Sequence, residues 1–365
     1  MRSSATACGS SDIRYTRYEK MITTIIFVLV TFILLIIPHE LGHFLLAKSF
    51  GMQVDRFSFG MGPKLIGFKR GQTEYTLCLI PVGGFVKIRG MQSDERNLPG
   101  SFYEKPLRNR ILVLLSGSAM NYLVAIILFS VVFMIGFHAY NMEEAVINEV
   151  KVGSPAALVS LLAGDKILAI NGEEIEGWEG VSVAIKENIE NDLKLTIQRE
   201  GRVFDVQIKP AFDPQLDKMA IGVTITPSST FVRYNFVDSL LKGSERVFSL
   251  TGAIFSALGG MIIGRVPAQF TGPVGIAQFI GESAKMGMVP LLSLIAFLSV
   301  NLGLFNLFPI PALDGGRLLF LLIEGVRGKP LDLKKEELVH YIGFIILFSL
   351  LFLVTYQDIL RWVGR

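Results

Sequence analysis

The chain has 365 residues, 51% hydrophobic and only 18% charged, with a mean hydropathy of +0.49. That balance excludes an ordinary soluble globule and points to an integral membrane protein carrying a polar domain. The net charge of +3 is small and no dense basic patch with interleaved aromatics occurs, which excludes nucleic acid as a partner.

Cys8 and Cys78 are the two cysteines, too few for a disulfide framework or a cysteine zinc site, so a metal must be held by histidine and carboxylate. Residues 1–20 are polar, contain Arg2, Arg14, Arg17 and Lys20, and are expected to form a disordered N-terminal extension before a start at Met21. A basic stretch before an apolar run also describes a signal peptide; here the run leads unbroken into a chemical motif, which argues against cleavage.

Residues 21–49 read as the first membrane helix. Near its end lies Pro38-His39-Glu40-Leu41-Gly42-His43, a His-Glu-x-x-His motif. Positions i and i+4 share a helix face, so His39 and His43 can address one metal ion, with Glu40 beside it to take a proton from bound water. Two imidazoles with an open position are how catalytic zinc is held. Such groups next to lipid are costly unless they serve a function. Pro38 lacks a backbone donor and is expected to kink the helix or free a carbonyl near the metal.

Residues 50–107 switch to short β-prone runs over 53–59, 64–69, 73–80 and 83–89, which predicts a small sheet lying against the membrane. Gly60-Met61-Gly62 lacks the helix and the lysine of a phosphate loop. Residues 108–142 form the second membrane helix, without a charged side chain over 111–142. Its Gly117-x-x-x-Asn121 serves either close helix packing or an amide aimed at the metal cavity.

Residues 143–227 have the composition of a soluble α+β domain. Gly164-Asp165-x-Ile167-x-x-Ile170-Asn171-Gly172, followed by alternating strands over 194–199, 203–209 and 220–226, resembles a PDZ domain. Such domains capture a peptide by strand addition and hold its carboxylate with backbone donors. In that resemblance Ile221, Gly222 and Val223 occupy the carboxylate-binding loop; use of the fold as a rigid spacer is the other reading.

Residues 228–285 are expected to form interfacial or re-entrant helices. If the uncharged run 247–264 crossed the membrane, Asp314 would emerge on the face opposite the histidine pair. Residues 286–330 contain the third span, over 286–313, and residues 331–365 the fourth, over 341–357. The loop 44–110 carries 11 Lys/Arg against 5 Asp/Glu, and 139–243 carries 10 against 16. The first loop is therefore expected in the cytoplasm, with both termini and the PDZ-like domain outside.

The third span closes on Asn306-Leu307-Phe308-Pro309-Ile310-Pro311-Ala312-Leu313-Asp314-Gly315-Gly316. The prolines break the helix and present Asp314 from irregular backbone, tolerable at membrane depth only inside protein or at a wet cavity. Taken together, the His39–His43 motif, Gly117-x-x-x-Asn121, the inserted PDZ-like domain and the segment from Asn306 to Gly316 closely resemble the site-2 protease family of intramembrane zinc metalloproteases. The match covers most of residues 21–363.

The resemblance implies one Zn2+ per chain, bound by His39, His43 and Asp314, with Glu40 as general base and Asn121 and Asn306 near the scissile peptide. It implies single-pass membrane proteins as substrates, pre-trimmed by another protease and cut within or beside the bilayer. Trimmed anti-sigma factors and remnant signal peptides are such substrates. It also implies a bacterial inner-membrane protein in contact with lipid, its active site toward the cytoplasm. The region 53–90 is similar to the family's membrane-associated hairpin, which pairs with an unwound substrate and satisfies its freed backbone groups. Relatives with two tandem PDZ domains exist; one is evident here.

The expected fold is thus a multi-pass α-helical membrane protein of about four membrane helices, with a membrane-associated β region and one inserted PDZ-like α+β domain. Two rival readings remain. A catalytically idle PDZ membrane scaffold leaves the intact ligands and base unexplained, and a metal transporter calls for further intramembrane carboxylates or histidines along a path.

Overall fold

The computed structural model describes residues 9–91, 98–141, 144–175, 177–188, 191–213, 218–225, 228–265 and 271–363. The chain forms two compact units, one of residues 1–135 with 234–365 and one of residues 136–233.

The first unit opens on α1 (Gly9–Ser49), which continues through Pro38. Residues 9–20 are therefore helical where disorder was expected, because a helix already nucleated by the apolar run extends at little cost. The rest of that stretch, residues 1–8, lies outside the described residues. Strands β1 (Val54–Arg70) and β2 (Thr73–Ile88) follow. Each is bent and pairs more than once. The run 64–70 pairs with 73–78, while 54–59 has both 74–77 and 84–88 as neighbours. The order 64–70, 73–78, 54–59, 84–88 leaves the last run at an edge.

Helix α2 (Leu107–Ile135) stops short of residue 142, the end that the uncharged run predicts. Gly136, at φ +101, turns the chain out of the helix, and β3 (Phe137–Asn141) begins at once.

The second unit continues with β4 (Ala145–Val150), α3 (Pro155–Leu158), β5 (Lys166–Ile170), β6 (Glu173–Glu174), α4 (Gly177–Glu187) and β7 (Leu193–Arg199). It ends with β8 (Arg202–Ile208), β9 (Ala211–Asp213), β10 (Lys218–Ala220), β11 (Val223–Ile225) and β12 (Ser228–Val232). The main sheet runs β11-β4-β5-β7-β8 with β6 against β5. Alternation along these strands turns Ile147, Ile167, Leu193, Leu195 and Ile197 into one buried core. β3 and β12 pair from Phe137↔Val232 to Asn141↔Ser228. The compact unit spans 136–233: the stretch 143–227 read as PDZ-like carries the main sheet, and this separate two-stranded neck closes its ends.

Within this unit Asp165 is fully buried and accepts hydrogen bonds from Arg199 Nε (2.6 Å), Arg199 Nη2 (2.7 Å) and Leu162 N (2.8 Å). Burial pushes its carboxyl up, but these donors and the Arg199 charge outweigh burial and hold it below 3.8. We expect Asp165→Asn to destabilise the unit by about 2 kcal/mol at pH 7. A depressed carboxyl adds stability above its unfolded pKa and loses it as pH falls through the folded one, so the two forms should converge in acid. Hydrogen exchange at Ile147 and Leu195 in the full-length protein measures this. Equal protection of both forms at pH 7 would discount the pair.

The first unit resumes with α5 (Phe236–Ile262), α6 (Pro273–Met286), α7 (Met288–Phe305), α8 (Asp314–Arg327) and α9 (Leu333–Val363). Among the described residues four helices are long and apolar enough to cross a membrane: Met21–Ser49, Leu107–Ile135, Met288–Phe305 and Lys334–Arg361. α5 is not one of them. It packs antiparallel along α2, with Gly243 against Ser130 and Ile126, and Thr251 Oγ1 3.1 Å from Tyr122 Oη.

The third span is shorter than 286–313. α7 ends at Phe305, and residues 306–313 are irregular because Pro309 and Pro311 have no N–H to continue the ladder. α8 then starts at Asp314 itself.

Candidate active site

His39 and His43 lie one turn apart on α1 and are both buried. Asp314, the first residue of α8, comes to them from 275 positions away in sequence. Its Oδ2 is 3.1 Å from His39 Nε2 and 3.1 Å from His43 Nε2, and the two Nε2 atoms are 3.3 Å apart. Tetrahedral zinc with bonds of about 2.0–2.1 Å separates its ligand atoms by about 3.3 Å. The three separations match, so these residues can hold that ion.

The rings are aimed from behind. His43 Nδ1 lies 2.7 Å from the Val113 carbonyl, so it donates there and leaves Nε2 free to ligate. His39 Nδ1 lies 3.3 Å from the Asn121 amide nitrogen, while Asn121 Oδ1 is buried without a partner. Turning that amide over lets Oδ1 accept the His39 Nδ1–H, which removes the orphan and frees His39 Nε2 as well. Gly117 permits the approach, since a Cβ there would lie 2.3 Å from His43 Nε2. Both halves of Gly117-x-x-x-Asn121 thus face the histidines, and Asn121 stands behind His39.

Asn306 is placed differently. Its carbonyl accepts the Gly315 N–H at 2.7 Å, which ties the start of α8 to the end of α7. A Cβ at Gly315 would lie 2.1 Å from the Phe308 carbonyl oxygen, so this turn sits directly on the irregular segment. Asn306 therefore meets Asp314's neighbourhood through its main chain.

Glu40 lies against the 84–86 edge of β2, where a Cβ at Gly84 would be 3.3 Å from its Cγ. A cavity of about 390 Å³ opens here, lined by His39, Glu40, His43, the 84–86 edge of β2, Asp314, Arg317 and His340. The Val113 carbonyl and the backbone of the 84–86 edge carry no residue signature and were invisible in the sequence. Arg317 and His340 were visible as polar groups beside the motif and in an apolar run.

In the inserted unit, Gly222 is at φ +80 and a Cβ would lie 2.1 Å from Ser154 Cβ. The Ile221 and Gly222 carbonyls accept from Ala156 N and Lys151 N, both at 2.9 Å. Val223 opens β11, the end strand of the main sheet.

The profile of peptidase family M50 matches residues 27–350 of the chain. The chain is 30% identical over 420 aligned residues to zinc metalloprotease RasP of Geobacillus kaustophilus, covering 93% of this chain and 98% of that protein. It is 29% identical over 421 aligned residues to the regulator of sigma-W protease RasP of Bacillus subtilis, covering 93% and 99%. Among solved structures it is similar to the PDZ domain of an SdrC-like protein from Listeria monocytogenes. That match is 25% identical, covers 23% of this chain and 87% of the other, and has a TM-score of 0.21.

Proposed function

The chain belongs to peptidase family M50, the site-2 proteases, and is a zinc metalloprotease; from that premise we propose that it cuts single-pass membrane proteins inside or beside the bilayer after another protease has trimmed them. The observation that carries this reading is the ligand triangle of His39, His43 and Asp314 opening onto a cavity bordered by a strand edge. A relative named for regulating sigma-W favours trimmed anti-sigma factors as substrates, with remnant signal peptides as a second group. An idle PDZ scaffold would not need a ligand set spaced for zinc.

His39, His43 and Asp314 hold the zinc, with Asn121 and the Val113 carbonyl orienting the two rings. When bound, zinc polarises the scissile carbonyl and acidifies the attacking water. Glu40 takes the proton from that water and returns it to the leaving amine. The edge at 84–88 pairs with the substrate segment once it has unwound, satisfying backbone groups that lipid cannot. Asn306 acts by anchoring Asp314's turn. Ile221, Gly222 and Val223 provide the peptide loop of the inserted unit, which works as a size filter outside a bacterial inner membrane. The metal site lies toward the cytoplasm.

One membrane substrate, with its external domain intact or trimmed, tests the proposal against purified, zinc-loaded enzymes. The wild type should cut only the trimmed form. Enzyme lacking the inserted unit should cut both. Proline placed in turn at the donors of 84–88 that face away from 54–59 should slow the trimmed form about tenfold at one or more positions, the loss of roughly one backbone hydrogen bond, with zinc retained. Equal rates across that proline scan would sink the edge. Slower cutting of the trimmed form by the deletion, with the intact form untouched, would replace filtering by capture.

A further inference from the structure

Asp314 is the ligand with the least regular support. On its C-terminal side the backbone is tied by Gly315 N–H to the Asn306 carbonyl. On its N-terminal side the chain turns at Ala312, which has φ +78. A residue with a Cβ in that left-handed region costs roughly 1–2 kcal/mol, so something must hold it there.

α9 reaches this turn. Gly343 presses against Pro311, where a Cβ would lie 2.3 Å from Pro311 Cβ and 2.8 Å from its carbonyl oxygen. One turn earlier, His340 Nδ1 accepts the Ala312 N–H at 2.9 Å. A neutral imidazole accepts at one nitrogen and carries its proton on the other, so His340 is an Nε2–H tautomer. Its ring is held edge-on by Phe320, with centroids 5.6 Å apart, and forms part of the cavity wall.

We propose that His340 is the positioning residue for Asp314: by accepting the Ala312 N–H it keeps that residue left-handed and directs the carboxylate, two positions on, at His39 and His43. The inference rests on the reading of Asp314 as a zinc ligand. α9 thereby becomes part of the metal site although none of its atoms touches the ion.

The test is zinc retention by full-length purified protein titrated with a chelator. His340→Leu should release zinc at a chelator concentration at least about tenfold lower than wild type, the usual size of such outer-partner losses. His340→Asn, whose Oδ1 can take the place of Nδ1, should retain it. Ala312→Gly added to His340→Leu should recover most of the loss, because glycine adopts φ +78 without steric cost. Loosened helix packing would not be repaired by that change, so a loss that neither Asn nor Gly restores would overturn the proposal. So would wild-type retention in His340→Leu while Asp314→Ala loses zinc. Tight retention in Asp314→Ala would instead remove the ligand reading beneath it. Should His340→Leu fail to fold, His340→Gln, which offers no acceptor near the Nδ1 position, carries the same comparison.

Discussion

Replacing Glu40 by glutamine is expected to cut peptide-bond hydrolysis by about 10²–10⁴-fold while leaving the fold and the zinc in place. The amide has the same shape and can lie against the same backbone at Gly84. It contributes nothing to the triangle of His39, His43 and Asp314. What it cannot do is take a proton from water. The comparison needs one purified pair of proteins, a membrane peptide whose cleavage is followed by mass, and zinc measured per chain. Cleavage near the wild-type rate by zinc-loaded Glu40→Gln would rule out Glu40 as the base and leave the metal site standing.

Removing the carboxylate of Asp314 should have the opposite profile: the ion goes first, and activity follows it. Asp314→Ala leaves two imidazoles on one turn of α1, and two protein ligands do not make a catalytic zinc site. We expect the apparent affinity to fall by more than about 100-fold, beyond the range seen when an outer partner is lost. The helices should stay assembled, because α8 is also anchored by a partly buried pair, Arg110 Nη2 to Glu324 Oε1 at 2.6 Å. Chelator titration of Asp314→Ala beside wild type reads the effect. Full occupancy at equal chelator would take Asp314 out of the ligand set.

The histidine pair was legible because helix geometry alone sets i and i+4 on one face. Asp314 was legible only through its motif, since nothing local says that a carboxylate 275 positions away returns to the same point. The end of α2 was misread because Phe137, His138, Ala139 and Tyr140 prolong an uncharged run. What makes them a strand is a partner at 228–232 that no local window contains. The left-handed turn at Ala312 would have announced itself had it been glycine. As alanine, it shows only in the backbone.

The neck formed by β3 and β12 has a consequence for how such a chain can change. Because Phe137 stands opposite Val232, the inserted unit leaves and rejoins the chain at one place, and Tyr234, two residues before α5, donates its N–H to the Phe133 carbonyl of α2 at 3.1 Å. The unit is therefore a cassette. Exchanging, doubling or excising everything beyond Asn141 and Ser228 alters what hangs from the hairpin without asking either helix to shift, provided a short turn rejoins the strands. Variation in the inserted module can thus proceed without disturbing the metal chemistry.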